Sequence, residues 1–74
     1  MDVNQIGTDA GIVWLALDET QALSYAELKE KSGLSDRALN AAIGWLAREK
    51  KIEIGKEPNT GEELYYHPFH NYFY

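Results

Sequence analysis

The chain has 74 residues, no cysteine and a formal net charge of −5, from 12 acidic against 7 basic residues. A chain this short makes one domain with little buried surface, and without cysteine it has no disulfide, thiolate metal site or cysteine nucleophile. Its negative charge opposes long-range approach to a polyanion, so any nucleic-acid role rests on local charge.

No Lys or Arg precedes Lys29, and no unbroken apolar run is long enough for a signal peptide or a membrane span. This points to a soluble, cytoplasmic protein. Val3, Ile6, Ala10, Val13, Trp14 and Leu17 recur at helical spacing and predict an amphipathic first helix from about Val3 to Asp18. Asp2 with Gln5 resembles a capping box at its start. Gly7 and Gly11 sit on neighbouring turns, and each costs roughly 1 kcal/mol of helix propensity relative to alanine. That cost points to another backbone packed closely against them.

A connection over Glu19 to Leu23 leads to Ser24 and Glu27, an S-x-x-E capping box, with Leu23 and Leu28 at the two positions of a hydrophobic staple. These predict a short second helix from Tyr25 to about Ser32. Gly33 supplies the left-handed residue that ends it, and Leu34, Ser35 and Leu39 repeat the staple and cap for a third helix running to about Lys50. Two capped helices joined by a tight glycine turn make a helix-turn-helix unit. Beyond it, KIEI places Ile52 and Ile54 on one face, KEPNTGE is turn-rich, and ELYYH places Leu64 and Tyr66 on one face again. This is the pattern of a hairpin.

The order of helix, connection, short helix, glycine turn, third helix and hairpin resembles the winged helix-turn-helix fold, an α+β architecture of three helices plus a C-terminal β-hairpin wing. The resemblance covers residues 1–67, and 68–74 form an aromatic C-terminal tail. The stretches IGTDAGIVWLAL, SYAELKEKSGLS and AAIGWLAREKKIEI are similar to a family of small stand-alone bacterial and archaeal winged helix-turn-helix proteins of unknown function. The resemblance implies a fold without an activity, because winged helices read DNA, bind RNA or dock proteins.

On the third helix Leu39, Ala42, Ile43 and Leu46 share the side expected to pack inward. The opposite side carries Arg37, Ala41, Gly44 and Arg48, with Asn40 and Trp45 at its margins. In a DNA-binding winged helix the first residues of this face meet base edges. Arg37 is suited to guanine and Asn40 to adenine, whereas Asp36 complements the helix dipole. A merely solvated face has the same composition. Gly44 implies a close neighbour, either DNA phosphate, a partner helix or the first helix. Trp45 fits an interface or a place under the hairpin.

The wing, Glu53 to Glu63, offers one base, Lys56, against Glu53, Glu57, Glu62 and Glu63, and so repels a duplex. Positive charge gathers instead at Arg48, Lys50, Lys51 and Lys56, with Lys29 and Lys31 on the second helix. About four phosphate contacts would give a log-log salt slope of roughly −3 to −4. The DNA-binding set is therefore Arg37, Asn40, Ala41, Gly44 and Arg48, with phosphate help from Lys51.

Tyr65, Tyr66, Phe69, Tyr72, Phe73 and Tyr74 crowd the last ten positions. With Trp45, the tail residues Phe69, Tyr72, Phe73 and Tyr74 suit a homodimer or partner interface, and self-packing against the first helix is the alternative. His67 and His70 lack a third ligand, so no metal is expected, and neither a cofactor nor a catalytic motif is present. The reading is a non-enzymatic homodimer of transcription-regulator type that binds double-stranded DNA weakly. Its alternative is a protein-protein interaction module on the same scaffold that does not bind DNA.

Overall fold

The computed structural model describes residues 1–17 and 21–68. Asp2 accepts the Gln5 amide at 2.8 Å and opens helix α1 (Val3–Ala16). The reciprocal half of a capping box is absent, since the Gln5 side chain reaches forward to the buried Asp9 at 2.9 Å. The helix stops at Ala16, short of the expected Asp18, because Leu17 turns to extended backbone while its N–H still bonds the Val13 carbonyl. Asp18 itself lies outside the described residues.

Helix α2 (Tyr25–Ser32) starts on the expected capping box. The Glu27 amide donates to the Ser24 hydroxyl at 3.2 Å, and the Ser24 amide donates to the Glu27 carboxylate at 2.9 Å. Those bonds hold the Glu27 carboxyl below its ordinary pKa, the backbone bond most of all. Gly33, at φ 71, closes the helix in the left-handed region, where a Cβ would clash with the backbone.

Helix α3 (Asp36–Arg48) is capped by Ser35, which accepts the Ala38 amide at 3.2 Å. It ends two residues before the expected Lys50. There the Lys50 amide bonds the Ala47 carbonyl at 3.1 Å and the Lys51 amide bonds Leu46 at 2.9 Å, a Schellman closure. The closure places Lys50 at φ 58, a position that normally holds glycine.

Strands β1 (Leu23–Ser24), β2 (Glu53–Lys56) and β3 (Glu63–Tyr66) form one antiparallel sheet in the order β1-β3-β2. β1 lies at the end of what the sequence presents as a connection. Its pairing sets Leu23 opposite Tyr65; Leu64 and Tyr66 share one face of β3 as expected and are half-buried, while Tyr65 on the other face is buried in the core. Ile54 also faces Tyr65, but from the outer strand beyond the cover of the helices, and it is exposed where Ile52 is buried. The Tyr66 ring crosses Gly55, and a Cβ there would come within 3.1 Å of the Tyr66 hydroxyl.

α1 packs chiefly on α3, and α2 and the sheet close the remaining sides. Val13, Leu28 and Leu39 are fully buried at the centre, with Ala42, Leu46 and Ile52 around them. The α1 stripe is narrower than the periodicity predicts: Ala10, Val13 and Leu17 are buried, but Val3 is 66% and Trp14 38% exposed. Both lie at the edge of the sector that α3 covers. No described helix is long and apolar enough to cross a membrane.

Candidate nucleic-acid interface

Burial of Leu39, Ala42, Ile43 and Leu46 fixes how α3 is rotated. Arg37, Gly44 and Arg48 consequently share the outer face and are exposed, with Ala41 half-buried between them. A Cβ built at Gly44 meets nothing within 4 Å. No described residue supplies the neighbour that the sequence implies, and among the described residues the α3 backbone is open on this face.

Asn40 is held within the domain. Its side-chain amide donates to the Tyr25 hydroxyl at 2.9 Å and to the Asp36 carbonyl at 2.8 Å. The Tyr25 hydroxyl in turn donates to the Asp36 carboxylate at 2.8 Å, and the Lys29 ammonium pairs with the other carboxylate oxygen at 3.0 Å. This network ties α2 to the first turn of α3. Hydrogen bonding from Tyr25, then from Lys29, lowers the Asp36 pKa, and the bond to Asp36 chiefly raises that of Tyr25. An Asn that reads adenine must donate to N7 and accept from N6, so Asn40 can do this only by giving up one of its present bonds.

The basic residues separate in the same way. Lys29 is paired with Asp36, and Lys51 stands with Glu49 at a groove between α1 and α3 that Trp14 and Trp45 also line. Trp45 thus packs at this groove and not under the hairpin. Of the DNA-binding set read from sequence, Arg37, Ala41, Gly44 and Arg48 share one face, whereas Asn40 is tied to α2 and Lys51 lines the groove.

Part of the wing's acidity is structural. The Glu57 carboxylate accepts the amides of Asn59 at 2.9 Å and Thr60 at 2.8 Å, shaping the loop that Gly61 closes at φ 75. Glu63 accepts the Tyr65 hydroxyl at 2.7 Å. No described side chain converts the wing into a basic surface, since Lys56 remains its one cation.

The α1–α3 groove is a feature that the sequence reading missed. Gly7 and Gly11 line it, and a Cβ at either meets nothing within 4 Å, so the expected close backbone is not present among the described residues. Beside it the His67 ring stacks on Trp14, with centroids 4.7 Å apart and planes 13° from parallel, and its Nε2–H donates to the Trp14 carbonyl at 3.2 Å. Among the described residues no group of three or more His, Cys, Asp or Glu side chains could hold a metal ion. His70, Phe69, Tyr72, Phe73 and Tyr74 lie outside the described residues.

Residues 1–66 match the model of a winged helix-turn-helix domain family, DUF2582. The fold is similar to the solution NMR structure of protein BT2368 from Bacteroides thetaiotaomicron: TM-score 0.80 and 38% identity, covering 97% of this chain and 87% of that one. No curated protein matches the sequence.

Proposed function

The chain belongs to the winged helix-turn-helix domain family DUF2582, and on that scaffold we propose that it contacts double-stranded DNA weakly through the outer face of α3, as a regulator-type protein. One observation carries this reading: Arg37, Gly44 and Arg48 form an uncovered stripe on the helix that, in DNA-binding winged helices, enters the major groove. Arg37 and Arg48 supply phosphate or guanine contacts, and the missing side chain at Gly44 allows the nucleic-acid backbone to approach.

With Asn40 tied to Tyr25, base reading falls mainly on Arg37, and affinity comes from phosphate contacts. Two arginines per domain give a log-log salt slope of roughly −2. This is shallower than the slope from about four contacts, because Lys29 is paired with Asp36 and Lys51 lies at the α1–α3 groove, off the Arg37–Arg48 face. Anisotropy titration of a labelled duplex at low salt tests the reading. Saturable binding that falls roughly tenfold in Arg37→Ala supports it, and an absence of saturable binding at low salt overturns it.

The alternative, a protein-docking module that does not bind DNA, is favoured by the acidic wing and by the half-exposed Trp14 and Trp45 at the groove. Duplex titration separates the two, because only the first reading gives amide shifts along α3.

A further inference from the structure

The open groove between α1 and α3 has a volume of ≈ 340 Å³. Gly7, Gly11 and Trp14 form its α1 side and Trp45 its α3 side, over a floor of the buried Ala10 and Leu46. Two glycines inside one helix cost roughly 1 kcal/mol each relative to alanine, yet among the described residues nothing packs against them. Two tryptophans beside them stay 38% and 40% exposed. The His67 stack and its bond to the Trp14 carbonyl brace the α1 indole in place at the groove. At about 100° per residue, Val3, Gly7, Gly11, Trp14 and Leu15 fall in one sector of α1, and Leu15 is 78% exposed. Asn4 falls in the same sector, so the groove continues into a strip that is apolar apart from Asn4.

We infer that this groove receives a second copy of the same chain, related by a two-fold axis. Charge complementarity selects that occupant. The rim carries one acid and one base, Glu49 and Lys51, both exposed and neither ion-paired among the described residues. A two-fold contact sets residue i against j and j against i, so the two copies form the Glu49–Lys51 pair twice. A strongly basic or strongly acidic partner would leave one rim charge opposed. Shape agrees: each copy has large indoles beside a strip without side chains, and one copy's Trp14 or Trp45 fills the gap over the other's Gly7 and Gly11. The inference goes beyond DNA contact and stands apart from it, since Arg37, Gly44 and Arg48 occupy a different sector of α3 and stay uncovered.

Sedimentation equilibrium of the full chain, from micromolar to millimolar concentration at moderate salt, tests the inference. The wild type forms a dimer. Gly11→Gln fills the groove and weakens dimerisation on the order of thirtyfold, while monomer stability is maintained or raised because Gln is the better helix former. Glu49→Lys and Lys51→Glu each weaken it roughly five- to tenfold, since each disrupts two rim pairs. The double exchange keeps the net charge and recovers most of the loss. A monomer at every concentration overturns the inference, as does a dimer indifferent to both Gly11→Gln and the charge exchange. Residues 69–74 filling the groove of their own chain would overturn it too, shown by a monomer whose tryptophan emission changes when they are removed.

Discussion

Asn40 and Tyr25 are joined at 2.9 Å, side-chain amide to hydroxyl, across the turn of the helix-turn-helix. The same hydroxyl donates to Asp36, so a single phenolic oxygen holds both a base-reading candidate and the acid of the first turn of α3. Removing it in Tyr25→Phe should raise the Asp36 pKa toward its ordinary value, as followed by carboxyl ¹³C shifts. The sign follows from linkage. A carboxyl lowered in the folded state stabilises above its unfolded pKa, and that contribution is lost as pH falls through the folded value. The variant should therefore show a weaker acid-side fall in stability than wild type. It should also bind adenine-containing duplexes more tightly, because Asn40 is released.

The Ser24 box is the best-satisfied helix start in the domain, with both reciprocal bonds formed. Ser24→Ala leaves an N-terminal amide of α2 without its acceptor and should cost about 1 kcal/mol. In urea melts the midpoint should fall with little change in slope.

Backbone conformation decides the sign of three substitutions to or from glycine. Gly33→Ala forces a Cβ into the left-handed region and should destabilise by about 1 kcal/mol. Lys50→Gly relieves the same conformation at the end of α3 and should stabilise by up to about 1 kcal/mol. Gly44→Ala has helical geometry and open space, so it should stabilise by about 0.5–1 kcal/mol while weakening duplex binding. Thermal melts with a parallel duplex titration check all three signs.

Alkaline pH should unfold the domain through Tyr65. Burial, then the hydrogen bond to Glu63, pushes its phenol well above the ordinary tyrosine pKa. The unfolded chain therefore loses this proton first, and stability declines as pH rises past about 10. Tyr65→Phe should flatten that decline, measured as denaturation midpoint against pH.

What the sequence makes legible is local. Ser24 with Glu27, Ser35 and Gly33 each depend on neighbours within about five residues, and the structure bears them out; Leu23 and Leu28 are both buried in the core. What it conceals depends on distant partners. β1 is two residues long and exists because Leu23 and Ser24 meet Tyr65 and Leu64. That meeting also decides which face of β3 is buried. Asn40 looks free until Tyr25, fifteen positions away, is placed beside it. Gly7, Gly11 and Gly44 led to the expectation of a close neighbour, and among the described residues none lies within 4 Å of where their Cβ atoms would sit. The winged helix-turn-helix fold was readable because its signals are caps and periodicity. The candidate interface was only partly readable, since the order of residues shows which side chains share the α3 face but not which are already hydrogen-bonded elsewhere.

In the proposed function, α3 meets DNA through Arg37, Gly44 and Arg48. Amide and arginine side-chain ¹⁵N shifts, recorded while a short duplex is titrated at low salt, test it most directly. Saturable shifts are expected at Arg37, Gly44 and Arg48, with binding that weakens along a log-log salt slope of roughly −2 per domain. Shifts confined to the Glu57–Glu63 wing and the α1–α3 groove, or none at low salt, would contradict it.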